Sequence, residues 1–272
     1  MKLQFFVKAC FFSLGMLVIV SYADAQQVKK TGKDRSGRKL IFSDEFNYKG
    51  LPDSTKWTYE SGLVRNQEPQ YYTVKRLENA RVENGHLIIE ARKEDYKGAA
   101  YTSASLITLG KKHFKYGRIE VRAKVPKGLG SWPAIWMLGE NRQQVKWPNC
   151  GEIDIMEYVG KDSTQVYGTV HYADTTGKYH YKGEKPVVGS PDDGFHIYAI
   201  EWNKDNISFY YDQLLYFVFD YKKAAYDPGT IFNKPFYLLL NLALGKQGNL
   251  GGPLDNRILP LRYELDYVRV YE

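Results

Sequence analysis

A chain of 272 residues with 38 basic and 31 acidic side chains has a net charge of +7, spread along its length and not gathered in one tract, which argues against a nucleic-acid binder. Its two cysteines, Cys10 and Cys150, and five histidines without close ligand spacing exclude a disulfide framework, an iron–sulfur site and a zinc site. Aromatic content is 15%, including 23 Tyr and 5 Trp, and the part of it beyond core filling suits a protein that stacks flat, polar ligands such as sugars.

Residues 1–25 read as a signal segment. Lys2 and Lys8 give the positive end, an apolar run covers 9–20, and Ala23-Asp24-Ala25 is a small-residue cleavage site. The run is too short for a membrane span, and Cys10 lies inside it, so no lipid-anchored cysteine is expected at the mature end. The expectation is an exported chain, secreted or periplasmic, starting at Gln26. Residues 26–38, with Lys29, Lys30, Lys33, Arg35 and Arg38, read as a flexible leader, and 39–272 as one domain. A monomer without a transmembrane segment is expected.

Strand-like stretches follow at 39–46, 57–59, 80–83 and 86–93, the last two joined by Asn84-Gly85, a favoured hairpin turn. Further strands are expected at 103–109 and 118–125, where Ile119, Val121, Ala123 and Val125 alternate with Arg118, Glu120, Arg122 and Lys124. After the glycine loop at 128–130 comes Ser131-Trp132-Pro133-Ala134-Ile135-Trp136, and then strands at 165–172, 195–202, 207–211, 214–219, 236–242 and 262–271. One helical turn is expected at 221–226, stopped by Pro228. Short strands between turn residues, with no recurring helix, predict an all-β sandwich of two sheets.

The chemistry concentrates at Glu152-Ile153-Asp154-Ile155-Met156-Glu157. Glu152 and Asp154 share strand parity, with Ile153 and Ile155 opposite, while Glu157 has the wrong parity. One extra residue accommodated at Ile155-Met156 as a β-bulge returns Glu157 to the acidic face. About four strand steps then separate the two glutamates, roughly 13 Å between Cα atoms. Side chains leaning together can reach the roughly 5 Å of a retaining glycosidase, and the wider inverting separation stays open. The plain alternative is an edge strand with a solvated acidic face, but three carboxylates crowded on one face repel one another. Trp132 and Trp136 share parity and can stack sugar rings, though core positions are an equal reading of each. Asn66, Gln67, Glu68 and Arg92 are candidates for sugar hydroxyls, and His171 is a candidate ligand-binding imidazole that suits a buried structural role equally well.

These residues resemble glycoside hydrolase family 16 in its E-x-D-x-x-E form. Phe42-Ser43-Asp44-Glu45-Phe46, residues 66–72, Tyr116-Gly117-Arg118, Gly130 to Trp136, Gly168-Thr169-Val170-His171-Tyr172, Asn241-Leu242-Ala243 and Asp266-Tyr267-Val268-Arg269-Val270-Tyr271 are similar to that family's laminarinase and β-glucanase members. The resemblance implies a β-jelly roll with a concave substrate cleft and retaining endo-hydrolysis of β-1,3 or mixed β-1,3/1,4 glucan, a neutral polysaccharide. It makes Glu152 the nucleophile, Glu157 the acid/base, Asp154 their positioning partner, and Trp132 and Trp136 sugar platforms. It places sugar contacts on Asn66, Arg92 and His171. No cofactor is implied for catalysis, but a structural calcium is, at Glu45, Gly85 and Asp266. One departure stands out: laminarinases often carry Gly-Gly-x-Trp after the Asn-Leu-Ala strand, where this chain has Gly245-Lys246-Gln247-Gly248-Asn249-Leu250-Gly251-Gly252, so a stacking Trp is missing. Relatives that cleave agar, porphyran or carrageenan share the signature and form the alternative, with a non-catalytic carbohydrate-binding sandwich as the third reading.

Overall fold

The computed structural model describes residues 32–272 apart from 35 and 225–227. The signal segment and residues 26–31 of the leader lie outside the described residues. The leader's described end is docked, contrary to expectation: Lys33 bridges Lys39, and Arg38 pairs with Asp34 at 2.7 Å and Glu201 at 3.0 Å.

In chain order the strands are β1 (Leu40–Asp44), β2 (Thr58–Tyr59), β3 (Gln70–Tyr72), β4 (Ala80–Glu83), β5 (His86–Tyr96), β6 (Ala99–Ser103), β7 (Ser105–Ile107) and β8 (Gly117–Lys124). Then come β9 (Ser131–Gly139), β10 (Glu152–Glu157), β11 (Tyr167–Ala173), β12 (Tyr179–Glu184), β13 (His196–Trp202), β14 (Asn206–Tyr211), β15 (Leu214–Asp220), β16 (Phe236–Leu244) and β17 (Leu261–Tyr271). A seven-stranded sheet runs β12-β11-β10-β9-β16-β7-β2. A ten-stranded sheet runs β15-β14-β13-β8-β17-β5-β6-β3, with β1 on β17 and β4 on β5. All pairings are antiparallel except the short β3–β6 contact. The fold is the expected all-β jelly-roll sandwich, and 39–272 packs around one main core. Helical structure among the described residues is confined to short turns, including Tyr221–Lys223 and Gly229–Phe232.

The sandwich closes because each sheet offers one apolar face. Ile119, Val121 and Ala123 of β8 meet Ile135 and Met137 of β9, Ile153 of β10, and Leu238, Leu240 and Leu242 of β16 in a single buried cluster. At about 25 cal/mol per Å² of apolar surface removed from water, this burial is the main force holding the two sheets together. The Asn84-Gly85 turn has positive φ at both residues, 52° and 81°, the mirror-image turn whose twist matches the strands it joins. Gly151 matters for the site. Its φ is +77°, and a Cβ there would stand 2.5 Å from Ile231 Cγ2, so a glycine lets the chain turn tightly into β10.

Three strands escaped the sequence pattern, the first of them β3, whose three residues are too few to show a period. β6 carries little apolar alternation, and β12 is exposed on both faces at the sheet edge, so neither shows the period of a half-buried strand.

Candidate active site

The catalytic strand has the bulge its spacing demands. Against β9, Asp154 opposes Trp136 and Met156 opposes Ile135, so Ile155 is the extra residue. Ile155 and Met156 both enter the core, and Glu157 emerges on the face of Glu152 and Asp154. On β11 the same two glutamates face His171 and Tyr167, a span of four regular steps. All three acids line a groove of about 310 Å³ across the seven-stranded sheet, together with Trp132, Trp136 and Asn66.

Each acid is held differently. Glu157 accepts a hydrogen bond from Trp132 Nε1 at 2.9 Å. His171 Nε2 stands 3.0 Å from Asp154 Oδ2 and 3.8 Å from Glu152 Oε1, while its Nδ1 meets the Tyr179 hydroxyl at 2.7 Å. The Nε2–Oδ2 approach is off the line of a hydrogen bond, so that buried Asp154 oxygen has an ionic neighbour and no hydrogen-bond donor. Burial raises the proton affinity of Glu157 to about 8, with the charge of Asp154 adding to it and Trp132 opposing it. Glu152 rises for the same first cause, then Asp154, with His171 pulling the other way. Asp154 is raised by burial. Three carboxylates that resist losing their protons share a few ångströms of a closed face, so the set holds protons well above the ordinary carboxylate range.

Trp132 and Trp136 share the cleft face as expected, yet only 6% and 7% of each is exposed. Trp132 packs on Val159, Ala243 and Leu250, so the segment that lacks the extra Trp supplies a leucine against it. Trp136 ends a relay the sequence did not disclose. Its Nε1 donates to Asn241 at 2.7 Å, Asn241 donates to the Tyr72 hydroxyl at 3.0 Å, and Tyr72 donates to Glu68 at 3.0 Å. Asn66 and Gln70 also donate to Glu68, at 3.1 and 2.7 Å. Glu68 is buried, and burial raises its proton affinity against the pull of Arg65. The Arg65 guanidinium lies 4.8 Å from the centre of the Trp136 ring, pairs with Glu60, and keeps Nη1 without a partner. Glu68, Asn241, Arg65 and Arg142 line the cleft, and of these the sequence offered only Glu68 as a sugar contact.

Arg92 is a correction. Leu87, Ile89 and Ala91 of β5 face the core, which turns Arg92 outward on the ten-stranded sheet, where it pairs with Glu90 and Glu94 away from the cleft. The residues expected to hold calcium stand on neighbouring segments of the ten-stranded sheet. β1 ends beside β17 at Asp44–Val268, Asp266 is the bulged residue of β17, and the Gly85 turn leads into Leu87 opposite Leu265. Both Glu45 oxygens are bound by Arg269 at 2.8 and 2.9 Å, and Asp266 Oδ2 is bound by Arg122 at 2.6 Å. A cation there would rely on main-chain carbonyls and Asp266 Oδ1, a hard-oxygen set that suits calcium. Among the described residues, the acid-and-histidine group with ligand atoms within 4.8 Å of one another is Glu152, Asp154 and His171, which could coordinate a metal ion.

A carboxylate-floored groove across one face of an antiparallel sandwich defines a glycoside-cleaving enzyme. The family model of glycosyl hydrolases family 16 matches residues 67–248, and the chain belongs to that family. It is 43% identical to a β-glucanase of Rhodothermus marinus, over 100% of this chain and 96% of that protein. The X-ray structure of the laminarinase from Rhodothermus marinus superposes with a TM-score of 0.79 at 44% identity, covering 86% of this chain and 97% of that one. A keratan-sulfate endo-1,4-β-galactosidase of Sphingobacterium multivorum is 34% identical over 86% of this chain and 55% of that protein. Among the described residues no helix is long and apolar enough to cross a membrane.

Proposed function

We propose that this glycoside hydrolase cuts internal bonds of β-1,3-glucan and mixed β-1,3/1,4-glucan by double displacement. The observation that carries this reading is the bulge at Ile155, which sets a second glutamate across from the first on the cleft floor. Glu152 attacks the anomeric carbon as Glu157 protonates the leaving oxygen, and water then completes hydrolysis with Glu157 as base. The Trp132 Nε1 hydrogen bond fixes the orientation of the Glu157 carboxyl. The charge of Asp154 favours the protonated form of Glu157 that the acid role needs, and although it acts the same way on Glu152, His171 at 3.8 Å from Glu152 favours the charged form the nucleophile needs. A sandwich that only binds sugar has no use for the second, proton-holding carboxylate. Asn66, Trp132, Trp136 and His171 contact the sugars in this reading.

The second reading, a sulfated or unsulfated galactan, is supported by the likeness to the keratan-sulfate endo-1,4-β-galactosidase and by two basic side chains, Arg65 and Arg142, that line the cleft and suit an anionic sugar. Reducing-end release from laminarin, barley β-glucan, agarose and carrageenan decides between them. Release from the first two is expected; release from agarose or carrageenan alone promotes the galactan reading, and none from any of the four defeats both. Export follows from the residue 1–25 pattern, and secretion of a full-length fusion tests it. A structural calcium held by Asp266 Oδ1 and the Glu45 and Gly85 carbonyls would tie β1, β17 and the β4–β5 turn together, and a chelator would then lower Tm.

A further inference from the structure

From Trp147, which lines the cleft, a row of aromatic rings that no step of the hydrolysis uses runs out to the edge of the sheet. Trp147, Tyr179 and Tyr181 are 44%, 41% and 68% exposed. Tyr179 and Tyr181 stand on the edge strand β12, and register sets Tyr181 opposite His171, which is itself opposite Glu152. The three positions therefore form one row running across the strands, in the direction of a polymer laid over the sheet. Two strand spacings put Tyr181 about 10 Å from the catalytic strand, room for a further sugar ring. The rings are continuous: Trp147 to Tyr179 is 5.1 Å, Tyr179 to Tyr181 is 6.0 Å at 19°, and His171 to Tyr179 is 5.9 Å at 7°. The Tyr179 hydroxyl on His171 Nδ1 ties this surface to the group beside Asp154.

A structural account of the row is weak. The back of β12 does the packing, through His180 against Tyr172, while Tyr179 and Tyr181 stay exposed on the other parity. Edge strands are ordinarily blunted with charge, and Lys182 and Glu184 do that on the other parity. At the cleft face the edge carries tyrosines, then Gly183, which leaves the floor beside them low. Flat apolar faces rimmed by hydroxyls match the C–H face of a pyranose ring.

We propose that Trp147, Tyr179 and Tyr181 form a sugar platform that holds a pyranose unit of the polysaccharide beyond the two rings flanking the cleaved bond. This rests on the glycan-hydrolase reading and adds a length preference to it. The test compares wild type, Tyr181→Ala and Tyr181→Phe on short and long laminari-oligosaccharides. Tyr181→Ala is expected to lose about tenfold in kcat/KM on the long ones and under about twofold on the shortest, with Tyr181→Phe restoring most of the loss. Equal loss at every length, or no loss at any, overturns the platform. If wild type cleaves no laminari-oligosaccharide, the glucan reading fails instead. The platform is then judged in a Glu152→Gln background, by retardation in gels containing laminarin, barley β-glucan, agarose or carrageenan. Retardation by one of them that Tyr181→Ala weakens supports it; retardation unaffected by Tyr181→Ala, or by none of the four, overturns it.

Discussion

The two sheets treat buried acid in opposite ways. On the outer face of the ten-stranded sheet, Glu45 is bound by Arg269, Glu120 by Arg118, and Glu90 by Arg81, Arg92 and Arg262. On the seven-stranded sheet, Glu152, Asp154 and Glu157 are set beside one another with a single histidine and no direct arginine partner. The proton affinities follow. Glu94, hydrogen-bonded by Arg76, is pulled down to about 2, whereas Glu157 is pushed up to about 8. One sheet pairs its carboxylates with arginines that hold strands together, and the other crowds them where burial makes them hold on to protons. The same residue type supplies adhesion on one face and chemistry on the other, and the neighbouring cations decide which.

The largest break in that contrast is made at the cleft. Glu152→Gln and Glu157→Gln are each expected to lower kcat on polymer on the order of a thousandfold or more, with folding intact. Their roles separate with an aryl glycoside whose leaving group needs no proton: Glu157→Gln should still release a burst of aglycone, and Glu152→Gln should not. A burst from Glu152→Gln alone would exchange the assignments.

The outer sheet should respond in stability instead. Arg269 is 3% exposed, so Glu45→Gln leaves a buried guanidinium without its counter-charge. The expected loss is about 2–3 kcal/mol, below that of a fully enclosed pair because Glu45 is partly exposed. That is roughly 4–12 °C in Tm for a chain of this size. Specific activity of the folded fraction at 25 °C should stay near wild type, and a large drop would tie this pair to the cleft.

The smallest effect sharpens the comparison through pH. Glu157 binds its proton more tightly folded than unfolded, so its contribution to stability is full below the unfolded value near 4.5 and fades as pH rises through about 8. Glu157→Gln removes that fading, and its Tm relative to wild type should climb between pH 5 and 8 by a few degrees. Asp154→Asn removes a charge that holds the proton on Glu157, so the basic limb of kcat/KM should move to lower pH by roughly one unit. A limb that stayed in place would confine Asp154 to positioning Glu152.

What the sequence disclosed was whatever depends on spacing along one strand. The alternation of β8, the Asn84-Gly85 hairpin and the bulge of β10 are local, and each was readable. What it concealed depends on which strands become neighbours. The relay from Glu68 to Trp136 joins positions 68, 72, 136 and 241, a closeness that only the folded sheet creates. Arg92 misled because 87–91 is buried without interruption, so the run gives no hint of which face Arg92 takes. The tyrosines of β12 were passed over because exposed aromatics on an edge leave no apolar period to find.

The bulge at Ile155 divides β10 into two halves of opposite phase. Up to Asp154 the even-numbered side chains meet the groove; beyond Ile155 the odd-numbered ones do. A chain shortened by one codon at this point would not lose its proton donor. It would lose the bulge and fall back to plain alternation, with Met156 still in the core and Glu157 still on the groove face. The strand thus keeps its two glutamates together either with the bulge or one residue shorter, whereas a single added residue without a second bulge would turn Glu157 toward the hydrocarbon.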